Sequence, residues 1–318
     1  MIRMAFRFLL LCVLCSQGFG ASVTVAQAPA TASPSTSPQS HDNAASGLRV
    51  LDLIALDKDG RPVTDLKPEE LRLFEDKAEQ KIKSLSPAAN EPLTIGLFFD
   101  ISLSRRADLS IGIEARLASE LVHSIWHEGD TGFVVTFNDE VNALVQPTNR
   151  LPEIDLGLSK LPGTPRRGST ALYEALCLIS PEKLARIPGR KVFVVFSDFE
   201  DNASQIEAEH VLKVGHRGRI AIFPVILVEG FGGGSSNKSK KRAEEVAQDF
   251  ADKTGGEAAI PESGEQLPMI FRRLTVDLQS AYRIIYLPST PSSQDKGKRG
   301  KLKLQTTRDG VKLLYPKS

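Results

Sequence analysis

Cysteine, tryptophan and methionine are scarce in this chain: three, one and three residues among 318. Two of the cysteines, Cys12 and Cys15, fall in an N-terminal stretch that reads as removable. Cys177 then stands alone in the mature protein, which excludes an internal disulfide even in an oxidising compartment. Its apolar surroundings, Ala171 to Ile179, predict a buried structural thiol. Charge of one sign is lacking as well. The 40 basic and 39 acidic residues leave a net charge of +1, too weak a field to hold a phosphate backbone, so a nucleic-acid partner is not expected. Lys296, Lys298, Arg299, Lys301 and Lys303 are a local exception. They read as a solvated hairpin edge that lysines protect from further pairing.

Signatures of catalysis are missing too. Gly232-Gly233-Gly234 lacks the lysine and hydroxyl residue of a phosphate-binding loop, and Ser169 has no Gly-x-Ser-x-Gly elbow. His123 and His127 are spaced as zinc ligands on a helix are, but Ser124 stands where a metalloprotease needs its general-base glutamate. Both read as surface or packing histidines. A metal-dependent hydrolase would need a base beside its ion, and no residue presents itself for that role. The expectation is a protein that is not an enzyme.

What the chain does have is a division of pattern. Arg3 and Arg7 precede an apolar core, Phe8 to Cys15, too short to span a bilayer, and small residues follow. Residues 1–20 are therefore expected to be a signal peptide, cleaved after Gly20 or near Ala28, and Leu14 before Cys15 argues against a lipid anchor. Residues 21–47 are rich in Ala, Ser, Thr and Pro and predict a disordered tether. In residues 48–90 the pattern turns to β: Leu48, Val50, Leu53 and Ile54 lead to the turn signal Asp59-Gly60. Residues 289–318 close with a second turn, Asp309-Gly310, between Leu302 to Leu304 and Val311 to Leu314.

Between these β-rich ends, residues 91–288 alternate strand and helix. Thr94 to Phe99, Lys191 to Phe196 and Ile220 to Val228 read as buried strands, and Gly132 to Phe137 with Val141 to Val145 as an antiparallel hairpin. Leu109, Ile113, Leu117 and Leu121 mark a helix ending near Trp126. Further helices are predicted over Ala171 to Ile179, Lys241 to Lys253 and Gly264 to Gln279, with a flexible loop at Gly230 to Ser236. The fold class is α/β: a doubly wound, mostly parallel sheet, with a small β domain made from the N- and C-terminal segments. A 41% hydrophobic content is enough for one large core and a smaller one.

Three fragments follow or precede these elements: Asp100-Ile101-Ser102-Leu103-Ser104, Gly168-Ser169-Thr170, and Ser197-Asp198. Ligands of an open α/β sheet bind outside the carboxyl ends of its strands. Alternate side chains of an extended loop point the same way, so Asp100, Ser102 and Ser104 face one centre. Thr170 adds a hydroxyl from a second loop and Asp198 a second carboxylate. Two carboxylates and three hydroxyls form a hard, all-oxygen set that suits Mg²⁺ or Mn²⁺. Taken singly, the fragments read as a strand-end Asp, a Ser turn and a helix N-cap. Together they read as a metal site.

This order of residues resembles the metal-ion-dependent adhesion site of von Willebrand factor type A domains, Asp-x-Ser-x-Ser with a distant Thr and a distant Asp. The resemblance spans Pro92 to Pro288. The flanks resemble the secreted type A-related family found in Acidobacteria, through Leu56-Asp57-Lys58-Asp59-Gly60-Arg61-Pro62-Val63, Leu66 to Phe74, and Tyr282-Arg283-Ile284-Ile285-Tyr286-Leu287-Pro288. It implies an exported protein, periplasmic or extracellular, whose Mg²⁺ (or Mn²⁺) site at Asp100, Ser102, Ser104, Thr170 and Asp198 binds an exposed Asp or Glu of a partner protein. A scaffold module with a vestigial metal site is the alternative. Phe199 stands where the family has Gly, and Phe resists positive φ, so the loop presenting Asp198 is expected to differ. Arg105 and Arg106, just after the first fragment, read as ordinary surface charges, with attraction of an acidic ligand as the alternative.

Overall fold

The computed structural model describes residues 47–103, 108–227, 237–289 and 300–317. The expected signal peptide and nearly all of the tether, Ser104, Arg105, Arg106, the Gly230 to Ser236 loop, and Lys296, Lys298 and Arg299 lie outside the described residues. In chain order the elements are β1 (Arg49–Leu56), β2 (Leu71–Glu75), β3 (Ala78–Pro87), β4 (Leu93–Asp100), α1 (Asp108–Ile125), β5 (Thr131–Phe137), β6 (Val141–Thr148), α2 (Leu151–Lys160), α3 (Leu172–Leu176), α4 (Pro181–Arg186), β7 (Arg190–Ser197), α5 (Ala208–Gly218), β8 (Ile220–Ile226), α6 (Asn237–Thr254), α7 (Leu267–Gln279), β9 (Tyr282–Leu287), β10 (Leu302–Thr306) and β11 (Lys312–Leu314). Among the described residues no helix is long and apolar enough to cross a membrane.

Strands β4 and β7 are buried along their whole length, which is why they read as continuous apolar runs rather than alternating ones. They lie side by side and parallel in a five-stranded sheet of order β6-β5-β4-β7-β8, where only β6 is antiparallel. Successive residues point to opposite faces. Ile95, Leu97 and Phe99 pack with Leu121 of α1, Ile154 of α2 and Phe271 of α7. Phe98, Phe193 and Val195 pack with Leu172 of α3, Val211 of α5 and Phe250 of α6. Helices thus cover both faces. Phe99 stacks on Phe196 at 4.6 Å between ring centres, and Phe196 on Phe271 at 5.5 Å, tying the two central strands to α7.

Some elements depart from the expected spans. The helix after Thr170 is shorter, Leu172–Leu176. The last helix is preceded by a 3₁₀ turn over Gly264–Gln266. Helices α2, α4 and α5 are not among the expected elements: α2 carries Pro152 and Gly157, α4 is only six residues long, and α5, though amphipathic, carries Gly215 and Gly218.

The flanks meet in a six-stranded antiparallel sheet of order β10-β2-β3-β9-β1-β11. The turn at Asp309-Gly310 does not close a hairpin, contrary to the expected hairpin edge. β10 pairs with β2 and β11 with β1, at opposite edges. The reason lies in the side chains: Leu302 and Leu304 fill the sheet's own core, whereas Leu314 packs toward the α/β layer. The Leu304 N–H donates to Tyr315 Oη at 3.0 Å, so the sheet curls until β10 comes near the segment that follows β11. Along β1, Leu51, Leu53 and Ala55 face this interior, while Ile54 and Leu56 face the α/β layer and share a core with Leu278 and Leu314. The described residues consequently form one compact unit.

Candidate functional site

Asp100 is the last residue of β4 and is fully buried. Its Oδ1 accepts the Ser102 N–H at 2.9 Å and its Oδ2 accepts the Ser197 hydroxyl at 2.6 Å. Ser197 ends β7 beside it, and its Oγ also accepts the Phe199 N–H at 3.0 Å. This serine orients the carboxylate from the neighbouring strand. The sequence signal for it was its place at the end of an apolar run, directly before Asp198.

Backbone hydrogen bonds stitch the surrounding loops together. The Ile101 N–H donates to Phe137 O at 2.8 Å, the Arg167 N–H to Ile101 O at 3.1 Å, and the Leu103 N–H to Gly168 O at 3.2 Å. Gly168 takes φ +73°, a conformation that favours glycine, and a Cβ there would fall 2.0 Å from the Asp139 carboxylate and displace it from the turn that leads to Thr170. Thr170 is then fixed by the loop after β7. Its N–H donates to Asn202 Oδ1 at 2.7 Å, and its carbonyl accepts the N–H groups of Asn202 and Ala203, each at 3.0 Å. Asp201 holds the same loop by accepting the Tyr173 N–H and the Ser204 hydroxyl. Asn202 was not among the predicted residues, because a lone Asn in a loop carries no distinguishing pattern.

Asp100, Ser102, Thr170 and Asp198 are thereby brought to one end of the sheet, outside the carboxyl ends of β4 and β7. Ser102 and Thr170 are buried like Asp100, and Asp198 is 9% exposed, with Oδ1 accepting the Glu200 N–H at 3.0 Å. Ser104, the fifth predicted ligand, lies outside the described residues. The Thr170 hydroxyl oxygen is buried with no hydrogen-bond partner. It is not a helix cap: the N-cap position of α3 belongs to Ala171, and no side chain caps it. A buried hydroxyl left unpaired costs roughly 1–3 kcal/mol. A hard cation would satisfy it, and the oxygen-only donor set suits such an ion. Among the described residues no three His, Cys, Asp or Glu side chains converge as metal ligands, so any ion here depends on the hydroxyls.

The expected distortion at Phe199 does not occur. Phe199 adopts φ +58°, the left-handed conformation usual for glycine. Its ring is 2% exposed and joins the core cluster of Phe98 and Phe193. Burial of the ring offsets the backbone strain. The two histidines do not form a pair: His123 Nε2 lies 2.9 Å from the Asp155 carboxylate, and His127 falls beyond the end of α1, its N–H donating to Asp130 Oδ2. The Cys177 thiol is half-buried, and burial pushes its pKa up to about 11, which leaves it unreactive at neutral pH.

No protein-family model matches the sequence, and no curated protein matches it either. Several solved structures are similar in fold. Proximal thread matrix protein 1 from the mussel byssus, in a form with a zinc-occupied MIDAS motif, shares 18% identity at a TM-score of 0.49, over 63% of this chain and 48% of its own. A von Willebrand factor type A protein from Catenulispora acidiphila shares 10% identity at 0.45, over 84% of this chain and 71% of its own. BatB from Bacteroides thetaiotaomicron shares 16% at 0.41, over 57% and 97%. Each TM-score is below 0.5, so the fold and the site stand on the chain's own geometry.

Proposed function

We propose that the protein is an exported, non-catalytic recognition module of the von Willebrand factor type A kind, and that it binds an acidic group of a partner protein through a divalent cation. The ion, Mg²⁺ or Mn²⁺, would be held by Asp100, Ser102, Ser104, Thr170 and Asp198. The observation that carries this reading is the buried Thr170 hydroxyl without a partner, set among the loops that also present Asp100, Ser102 and Asp198. Neutral hydroxyls leave a cation electron-poor, and an external carboxylate then completes its coordination. The six-stranded sheet would serve as the platform from which the site is presented.

A second reading, a scaffold without a metal, draws on a different observation. Both Asp100 oxygens already accept hydrogen bonds within the protein, which a metal-free carboxylate needs. Thermal unfolding in millimolar Mg²⁺ or Mn²⁺ against chelator separates the two readings, because an ion that binds the native state raises Tm by mass action. The expected result is a metal-dependent rise in the wild type that Asp100→Ala abolishes. The absence of any rise in the wild type refutes the metal site and leaves the scaffold.

A further inference from the structure

Far from the candidate metal ligands in sequence, one carboxylate stands out. Asp277 of α7 is 2% exposed, and its Oδ1 is buried with no hydrogen-bond partner. The nearest cation, Arg273 Nε, lies 3.7 Å from the other oxygen, beyond hydrogen-bond range. Asp130 is buried to the same degree, and there both oxygens accept backbone N–H groups, from Leu93 at 2.7 Å and His127 at 2.8 Å. Asp130 has a structural duty that Asp277 lacks.

Asp277 lines a solvent-open pocket of about 280 Å³ between α7 and the sheet edge formed by β8 and residues 257–260. Most of the remaining wall is apolar, including Phe223, Val225, Ala259, Ile270 and Leu274. Two other charged groups line it, and both are engaged. Arg273 Nη2 pairs with Glu257 Oε2 at 2.8 Å, and Glu257 Oε1 pairs with Lys312 Nζ of β11 at 3.2 Å. Two cations against Glu257 leave one positive charge, and Asp277 balances it. What Asp277 lacks is a hydrogen bond: its Oδ1 is buried without the partner that a buried carboxylate oxygen needs. Desolvation by burial raises its pKa to about 7, against the lowering influence of Arg273.

We propose that this cavity is a binding site for a small organic cation, an apolar body carrying one primary ammonium, with the ammonium paired to Asp277. An apolar lining with a few convergent polar groups is the usual form of a small-ligand site, and an ammonium supplies the charge-assisted hydrogen bond that Oδ1 lacks. The proposal is independent of the metal site.

The test uses the full chain and benzylamine as probe, with benzyl alcohol as the neutral comparison, titrated by calorimetry and by amide chemical shifts. Benzylamine should bind saturably, and benzyl alcohol at least roughly tenfold more weakly, since a buried charge-assisted hydrogen bond contributes on the order of 1.5–3 kcal/mol. Asp277→Asn should weaken benzylamine by a similar factor. Between pH 5.5 and pH 8 the wild-type affinity should rise by roughly tenfold or more, because the carboxylate must be ionised while the amine stays protonated. The alcohol comparison and the pH series are made on the wild type, so they stand even if the variant folds poorly. No saturation by benzylamine, equal binding of the alcohol, or a pH-independent affinity would each overturn the proposal. A cavity filled only by water gives the first of these results.

Discussion

Phe199 is held at φ +58°, a left-handed conformation that costs an ordinary L-residue roughly 1–2 kcal/mol. Glycine adopts it freely, so Phe199→Gly relieves that strain. Against the relief stands the ring, 2% exposed in the cluster of Phe98, Phe193 and Phe250. Truncating a buried Phe to Ala costs about 3–5 kcal/mol, including the cavity left behind, and truncation to Gly costs at least as much. The balance is a loss of roughly 2–3 kcal/mol, a fall in Tm on the order of 5 °C for a chain of this size. Calorimetric melts of wild type and variant, with and without Mg²⁺, read both quantities. The Mg²⁺-dependent increment in Tm should survive, because the substitution leaves the Asp198 carboxylate and the turn conformation in place. A variant as stable as the wild type would refute the claim that side-chain burial outweighs the backbone strain. A lost increment would show that the ring itself positions Asp198.

The remaining predictions concern single groups. Thr170→Val removes an unpaired buried hydroxyl, so the metal-free protein should hold or gain up to about 1 kcal/mol in urea unfolding, while the Mg²⁺-dependent rise in Tm shrinks; a large loss of metal-free stability would reveal a structural role for the hydroxyl. Asp277 has a native pKa of about 7 against 3.8, so the native state retains a proton that the unfolded chain releases. Its contribution is therefore complete below about pH 4 and declines as pH rises toward 7, by up to about 4 kcal/mol. Urea midpoints of wild type and Asp277→Asn, compared at pH 5 and pH 8, should show the variant gaining ground at the higher pH. Gly189→Ala should destabilise strongly, since a Cβ at φ +84° would meet the Pro92 carbonyl at 1.8 Å; reduced soluble yield and a lowered Tm are the readouts.

The central strands were legible because burial on both faces leaves an unbroken apolar run, as in Leu93 to Phe99. The loops at their ends were legible because hydroxyls and carboxylates cluster there. Whether Thr170 capped a helix was not, since that turns on whether the helix begins one residue earlier or later. Phe199 misled for a physical reason: backbone preference is local, while the burial that overrides it comes from residues distant in sequence. The pairing of β10 and β11 with opposite edges was hidden for the same reason. A turn signal such as Asp309-Gly310 reports a reversal of the chain but not which strands receive its two arms.

That pairing bears on how the chain matures. Ile54 lies opposite Leu314, and Leu73 opposite Leu304, so the first strands to emerge during synthesis find two of their neighbours only among the last. Contacts of such long sequence separation form slowly, and unpaired strand edges are exposed meanwhile. The five-stranded α/β layer draws on no residue of β10 or β11 for its strand pairs and is free to assemble first. A chain interrupted after β9 would present β1 and β2 each with one partner missing, ready to capture a strand from another molecule. The closing strands therefore act as a check on completeness: until they arrive, the newly made protein remains a template for association.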